Sequence, residues 1–247
     1  MRKIILTVCA YDSGHQMIEL FNTHVKPRID EYCLKHGFEF IILDKFQPYH
    51  RDWSWAKIQE AQKIMLDMDN GDLIVLMDAD SIIMDSEMSL IFEKDIAIAH
   101  ETTGCLCMGL MAIKVSEFSR KFVDAMCDED RHEKNKHTSS WQIWHENDAI
   151  YHICGINWGE QPDRVGTRDT TPFTIEELKE NVLFLAPEYN VTFNPEDIET
   201  PLNAYANIEK YARKERFVKM NNILIRHLAG GMIYEKWAEK YFNYKMR

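Results

Sequence analysis

The feature that most constrains this chain is an apolar run that ends in two carboxylates. Residues 73–77 are all apolar, and Asp78 and Asp80 follow them with one alanine between. Asn70 and Gly71 form a turn signal just before the run, so its length and punctuation favour a strand buried on both faces over a helix segment. Such a strand is typical of an open α/β sheet, in which ligands bind at the carboxyl ends of the strands.

Asp78 and Asp80 have the spacing of a metal site. Two carboxylates held this close repel each other unless a cation or a proton lies between them. Oxygen ligands suit a hard cation such as Mg²⁺ or Mn²⁺. A bare Asp-x-Asp is more often a solvated turn after a strand, and it is the apolar run in front that favours a metal site here.

Length and composition predict a folded domain with a negative net charge. The 247 residues are 45% apolar and 11% aromatic, which is enough for a substantial core. The 40 acidic residues outnumber the 29 basic ones and give a net charge of −11. Because nucleic-acid binders normally carry a basic face, the balance argues against a nucleic-acid partner.

The cysteines and the apolar segments predict a soluble cytoplasmic protein. The six cysteines include no C-x-x-C pair, so we expect free buried thiols; Cys105 and Cys107 would share one face of a strand and pack in the core. The first apolar run is too short for a signal peptide, and no segment reaches the roughly 20 apolar residues of a membrane span.

The first eighty residues predict alternating strands and helices. Strands are expected at 4–9, 38–43 and 73–78, with helices at 16–36 and 54–69. Pro27 should kink the first helix or split it in two, Gly37 should end it, and Ser54 is the expected N-cap of the second. This order implies a parallel sheet with right-handed crossovers.

The later residues predict shorter elements. Strands are expected at 81–84, 95–100, 105–114, 182–185 and 223–227, and helices at 115–127, 141–154 and the end of the chain. Residues 128–140 should form a charged surface loop, 155–174 a long loop and 193–203 an irregular segment.

Five short segments, taken in their order along the chain, resemble glycosyltransferase family 34, whose members transfer galactose, xylose or mannose from nucleotide sugars. The segments are Ala10-Tyr11-Asp12, Trp55-Ala56-Lys57, Asp78-Ala79-Asp80, Glu146-Asn147-Asp148-Ala149 and His227-Leu228-Ala229-Gly230. The likeness covers most of residues 3–230, and its motifs are specific only as a set. It implies a GT-A fold in one domain, residues 1–247, with a nucleotide-binding half to about residue 80 and an acceptor-binding half beyond it.

The resemblance also implies roles for individual residues. Asp78, Asp80 and His227 would hold Mn²⁺ or Mg²⁺, and Lys57 would stand near the diphosphate as a second positive charge. The donor would be a nucleotide sugar, with UDP favoured over GDP, and the acceptor a hydroxyl of a glycan or other molecule. The donor site would comprise Thr7, Ala10, Tyr11, Asp12, Lys57, Asp78, Ala79 and Gly230.

The acid of the catalytic step would come from Glu146 or Asp148. A spacing of two residues places them about 200° apart on a helix, so both cannot face one pocket equally. The family has an acidic-x-Asp-Ala segment, and the resemblance places Asp148 at its second acid. We therefore favour Asp148 over Glu146.

Each residue also has a simpler interpretation. Lys57 would be a solvated helix lysine, Tyr11 a loop aromatic that caps the core, and His227 an ordinary buried histidine. Glu146 and Asp148 would form a polar helix face.

Two other functions fit part of the pattern. A haloacid-dehalogenase-like, Mg²⁺-dependent phosphatase also has an Asp-x-Asp after a strand, although there it opens the domain. A carbohydrate-binding relative without catalysis would use the same pocket, but it would have no need of Asp78, Asp80 and His227. Sugar-phosphate nucleotidyltransferases require a glycine-rich basic loop after the first strand, which residues 10–14 do not supply.

Overall fold

A six-stranded sheet forms the centre of the protein. The computed structural model describes residues 1–11, 15–47, 49, 54–100, 106–128, 146–156, 166, 171–190 and 224–227. In chain order, the strands of this sheet are β1 (Lys3–Val8), β2 (Glu39–Leu43), β3 (Leu73–Asp78), β5 (Ile96–His100), β6 (Leu106–Lys114) and β7 (Val182–Leu185). They lie in the order β2-β1-β3-β6-β5-β7. Two further strands, β4 (Ser81–Ile83) and β8 (Ile225–His227), pair separately.

The sheet is parallel except for β6. Strand β1 pairs in parallel with β2 and β3, and β5 pairs in parallel with β7. Strand β6 lies between β3 and β5 and runs antiparallel to both. The predicted α/β class, with a mostly parallel sheet, is therefore confirmed.

Alternate residues of the central strands face two separate cores. Ile4 and Ile74 belong to the core on one face of the sheet, whereas Ile5 and Val75 belong to the core on the other. Since successive strand residues point to opposite faces, the continuous apolar runs of β1 and β3 can fill both cores.

Helices cover both faces of the sheet. One core includes residues of α3 (Ala56–Met65), α4 (Glu117–Cys127) and α5 (Glu146–Ile153). The other includes residues of α1 (Gln16–Leu20), α2 (Lys26–His36) and the π-helix Phe21–Val25 that joins them. A short helix α6 (Ile175–Asn181) precedes β7, and the 3₁₀ turn Pro187–Tyr189 follows it. Within the described residues, no helix is both long and apolar enough to cross a membrane.

The helix ends agree with the sequence signals in two places and differ in one. Gly37 ends α2 with φ +68°, and Pro27 lies in the first turn of α2, directly after the π-helix. The prediction of Ser54 as an N-cap is wrong. Helix α3 begins at Ala56 after Trp55, whose carbonyl accepts from the Gln59 N–H at 3.0 Å and whose side chain makes no capping bond, so Ser54 lies one residue before the cap.

Several predictions lie outside the described residues. They concern Asp12, Cys105, the segments 129–140, 141–145 and 193–203, the closing helix and Gly230. The predicted late strand at 223–227 is confirmed as β8, and its partner is β4.

Candidate metal and donor site

The two carboxylates lie at the carboxyl edge of the parallel half of the sheet. Asp78 is the last residue of β3 and stands opposite Val8, the last residue of β1. The segment after β1, which contains Ala10 and Tyr11, therefore leaves the sheet at the same edge. The sequence predicts this arrangement, because parallel neighbours end on the same side.

His227 reaches the carboxylates through a strand pair that lies far apart in sequence. Strand β8 pairs antiparallel with β4, and the register places His227 opposite Ser81. Its Nε2 lies 3.2 Å from Oδ1 of Asp80 and 3.5 Å from Oδ2 of Asp78. One potential ligand atom from each residue lies within 4.8 Å of the others. This cluster of two oxygen ligands and one nitrogen ligand suits Mn²⁺ or Mg²⁺.

The charges around the cluster also suit a divalent cation. Asp78, Asp80 and Glu146 supply three carboxylates, and Lys57 supplies one ammonium group. A histidine that binds a metal is neutral, so two negative charges would remain for the ion to balance. Charges of one sign crowded at a buried site are costly unless they are compensated.

Lys57 is buried beneath Asp78. Its side chain is 5% exposed, and its ammonium group donates to Asp78 Oδ1 and, at 2.7 Å, to the carbonyl oxygen of Met108. Oε1 of Glu146 lies 3.6 Å away. Burial alone would lower the pKa of Lys57, but the charges of Asp78 and Glu146 outweigh burial and raise it. The simpler interpretation of Lys57 as a solvated lysine is wrong.

The same balance governs His227 and Asp80. Burial lowers the pKa of His227, but the negative charge of Asp80 together with the hydrogen bonds to Asp80 and Cys107 outweighs burial and raises the pKa well above its ordinary value. Burial would raise the pKa of Asp80, but the charge of His227 and a hydrogen bond to it keep the pKa low. Without a metal, the two groups therefore form an ion pair.

A bulge in β6 supplies backbone groups to the site. The pairing of β5 with β6 shifts register between Ile98 and Ala99, which leaves residues 108–110 without partners on β5. The Met108 N–H donates to Oδ1 of Asn147 at 2.7 Å, and its carbonyl accepts from Lys57. Helix α5 is thus fastened to β6 beside the lysine that holds Asp78.

Gly109, also in this bulge, lies directly against His227. A Cβ at this position would fall 2.5 Å from His227 Nδ1 and 2.7 Å from Oδ1 of Asn190. The Gly109 carbonyl accepts a bond of 3.2 Å from the Ser81 hydroxyl. Only a residue without a side chain fits here, and a glycine inside a strand is a sequence sign of such an approach.

Substitution of Gly109 by alanine is therefore expected to displace the ring of His227. We expect Gly109→Ala to weaken Mn²⁺ binding at least about 10-fold, as loss of ligand orientation does, and to lower stability by about 1–3 kcal/mol through overpacking. Titration of Mn²⁺ by electron paramagnetic resonance measures the first effect.

Gly71→Ala is the matched control. Gly71 has a positive φ, +94°, which Gly109 does not, and a Cβ at Gly71 would have no atom within 4 Å. That variant should lose some stability and keep its Mn²⁺ affinity. Equal Mn²⁺ affinity in both variants and wild type would contradict the role of Gly109.

The two acids of α5 have different surroundings. Glu146 is 6% exposed and faces Lys57, whereas Asp148 is partly exposed. Their separation on the helix is the one expected for a spacing of two. Glu146 is therefore the acid that contacts the buried charges of the site.

The predicted donor-binding residues Thr7, Ala79 and Tyr11 lie along the same edge. Thr7 is fully buried in β1 beside β3, and Ala79 is buried between the two aspartates. Tyr11 is 38% exposed, and its ring stacks on His15 with centroids 4.7 Å apart. Burial and the charges of Asp80, Cys9 and Asp78 raise the pKa of Tyr11 to about 12. Its exposed ring at the edge differs from the simpler interpretation of a core cap.

Comparison with known proteins finds one family and several solved structures. Residues 2–97, which contain β1–β4 and the first two residues of β5, match the model of the galactosyl transferase GMA12/MNN10 family. No curated protein matches the chain significantly.

Three solved glycosyltransferases show weak overall similarity. A glycosyltransferase involved in the glycosylation of the major capsid of PBCV-1 is 13% identical, with 93% of this chain and 95% of that chain covered and a TM-score of 0.47. The galactosyltransferase LgtC, in complex with donor and acceptor sugar analogs, is 11% identical, with 92% and 87% covered and a TM-score of 0.46. GlyE of Streptococcus pneumoniae TIGR4 is 13% identical, with 93% and 55% covered and a TM-score of 0.45.

At this degree of similarity, the solved structures by themselves establish neither substrate nor activity. The family match is the stronger finding, and its segment contains Lys57, Asp78 and Asp80. The chain is therefore similar to the galactosyl transferase GMA12/MNN10 family over residues 2–97, which confirms the predicted resemblance to glycosyltransferase family 34, an enzyme family of the GT-A fold.

Proposed function

We propose that this protein is a metal-dependent glycosyltransferase that moves a hexose or pentose from a nucleotide sugar to a hydroxyl of a glycan or other acceptor. The observation that carries the proposal is the cluster of Asp78, Asp80 and His227 at the carboxyl edge of the sheet. The match of residues 2–97 to a glycosyltransferase family supports the same reaction. UDP is the favoured nucleotide and GDP the second choice.

Asp78, Asp80 and His227 would hold Mn²⁺ or Mg²⁺. Bound there, the ion would supply a Lewis acid that stabilises the negative charge of the departing nucleoside diphosphate. Lys57 would hold the Asp78 carboxylate in place and add a fixed positive charge behind it, since its ammonium group contacts Asp78. Asp78 ends β3, Asp80 follows it by two residues, and Lys57 lies in the first turn of α3. These elements hold the three side chains in place before the metal binds.

The remaining donor contacts would come from the segment after β1 and from the late histidine–glycine segment. The exposed ring of Tyr11 is suited to stack on a nucleotide base. Asp12, Thr7, Ala10, Ala79 and Gly230 would complete the donor site. We assign residues up to about 80 to the donor half of a single domain, and those beyond 80 to the acceptor half.

The acid of the transfer step is proposed to be Asp148, with Glu146 in support through Lys57. Asp148 is the more exposed of the two and so the more accessible to an acceptor. It would accept the proton of the attacking hydroxyl if the configuration inverts, or stabilise the developing positive charge of the sugar if it is retained.

We expect Asp148→Asn to slow transfer at least about 10²-fold, the low end for loss of a general base. UDP and Mn²⁺ affinity should stay close to wild type, because those contacts are assigned to other residues. Single-turnover transfer rates beside UDP titrations measure the two quantities. A rate within a few-fold of wild type would remove Asp148 from the mechanism and leave Glu146 as the candidate acid.

The activity itself is tested by incubation of the protein with a panel of UDP- and GDP-sugars in Mn²⁺, in Mg²⁺ and in EDTA. We expect metal-dependent release of the nucleoside diphosphate, and transfer when a glycan acceptor is added. A dehalogenase-like phosphatase would instead release inorganic phosphate from small phosphoesters. A carbohydrate-binding relative would bind sugar without turnover. Either of the last two results would overturn the proposal.

A further inference from the structure

The edge of His227 that faces away from the carboxylates meets a second group of buried side chains. Nε2 of the ring faces Asp80 and Asp78, and Nδ1 lies 3.8 Å from Sγ of Cys107. A Cβ added at Gly109 would lie 2.5 Å from His227 Nδ1 and 2.7 Å from Asn190 Oδ1, so both atoms face the space above Gly109. Cys107, Gly109 and Asn190 thus surround the Nδ1 edge; we name these three residues the back wall of His227.

Asn190 is a buried amide whose side chain makes no hydrogen bond within the described residues. It is 0% exposed, and within the described part of the chain neither its Oδ1 nor its Nδ2 has a hydrogen-bond partner. A buried polar group without a bond costs about 1–3 kcal/mol. A buried amide left unpaired needs an explanation, and for one that faces a candidate metal ligand a bond that forms when the metal binds supplies it.

The segment that carries Asn190 is fastened to the strand that carries His227. Asn190 follows the 3₁₀ turn Pro187–Tyr189, and its N–H donates to the Pro187 carbonyl at 2.9 Å. The carbonyl of Glu188 in that turn accepts from the N–H of Leu224 at 3.0 Å, directly before β8. Asn190 and His227 are therefore held in a fixed relation by backbone bonds.

A histidine that binds a metal through Nε2 carries its proton on Nδ1, and that N–H needs an acceptor. Sulfur is a weak acceptor, whereas an amide oxygen is a good one. Resting on the metal site proposed above, we infer that Asn190 is a positioning residue that accepts the Nδ1–H of His227, directly or through one water, beside the sulfur of Cys107. The back wall thereby fixes the ring with Nε2 toward Asp78 and Asp80.

The test compares Mn²⁺ affinity, measured by electron paramagnetic resonance without donor or acceptor, in wild type, Asn190→Ala and Asn190→Asp. Asn190→Ala removes the acceptor oxygen, and we expect Mn²⁺ to bind about 10- to 100-fold more weakly. Losses of this size are usual when a group that hydrogen-bonds to a metal ligand is removed. Asn190→Asp keeps an acceptor of the same size, and its Mn²⁺ affinity should stay within a few-fold of wild type. Asn181→Ala, at the partly exposed end of α6, is the matched control and should leave Mn²⁺ affinity unchanged.

The outcomes separate this inference from the proposed function. Wild type that binds no Mn²⁺ would overturn the metal site and, with it, the role of Asn190. Wild-type Mn²⁺ affinity in Asn190→Ala would overturn the inference alone. Equal losses in the alanine and aspartate variants would also overturn it, because they would reflect packing and not an acceptor.

A second readout needs no variant and so does not depend on folding of the alanine protein. In nitrogen-15 spectra of wild-type protein with Mg²⁺, the neutral ring of His227 should carry its proton on Nδ1. A proton on Nε2 would contradict metal binding through Nε2 and, with it, the inference that rests on that binding.

Discussion

Asp80→Asn is expected to reduce glycosyl transfer at least about 10³-fold while the fold survives. The substitution removes one of the two carboxylates of the candidate metal site and leaves a side chain of nearly the same size. A metal ion at a developing negative charge contributes several kcal/mol, and about 4 kcal/mol corresponds to 10³ in rate. The pairing of β4 with β8, which positions His227, does not involve the Asp80 side chain. The measurements are kcat/KM in Mn²⁺ and the free energy of unfolding without metal.

Asp67→Asn is the matched control for this variant. Asp67 is exposed after α3 and belongs to no cluster that could hold a metal in the described part of the chain. It should transfer sugar at the wild-type rate. An Asp80→Asn protein with wild-type activity, or a wild type that is fully active in EDTA, would exclude metal dependence through this site.

Lys57→Met is expected to lower the free energy of unfolding by about 3–5 kcal/mol, the usual cost of removing one partner from a buried ion pair. Methionine keeps much of the volume of the lysine stem but removes the ammonium group from beside Asp78 and Glu146. The effect should be smaller at pH 5 than at pH 8, because the buried carboxylate of Glu146 takes up a proton more readily once the cation of Lys57 is removed. That protonation favours the folded variant at low pH, and the benefit is lost as the pH rises.

Lys63→Met, one turn and a half further along the same helix, is the control. Lys63 is exposed and contacts Tyr49 at the surface, so its loss should change stability by less than about 1 kcal/mol. Denaturant titrations of wild type, Lys57→Met and Lys63→Met at pH 5 and pH 8 measure these free energies of unfolding. Equal, small losses of stability in Lys57→Met and Lys63→Met would show that Asp78 and Glu146 do not need the charge of Lys57.

The sequence predicts well whatever depends on neighbouring residues. The apolar runs of β1 and β3 identify the parallel half of the sheet, and the adjacency of Asp78 and Asp80 places both at one strand end. His227 could be associated with them only through the family resemblance, because its position depends on the register of β8 against β4. No local pattern specifies that register.

The misjudged details depend on contacts between distant segments. Ser54 has a good capping side chain, but packing around Trp55 makes α3 begin at Ala56 without it. Lys57 is buried because Asp78, 21 residues later, receives its ammonium group. Cys107 was expected to be a core thiol; it is buried as expected, but its sulfur also lies beside His227. Asn190 carries no sequence signal at all, since a single asparagine after a strand is common.

The central claim is that one metal ion binds between Asp78, Asp80 and His227 and there meets the diphosphate of the donor. Anomalous diffraction at the manganese edge, from crystals grown with Mn²⁺ and UDP, tests this most directly. We predict one anomalous peak bonded to an oxygen of each aspartate, to Nε2 of His227 and to the diphosphate. A peak elsewhere, or UDP bound at this edge with His227 turned away from the ion, would contradict the account.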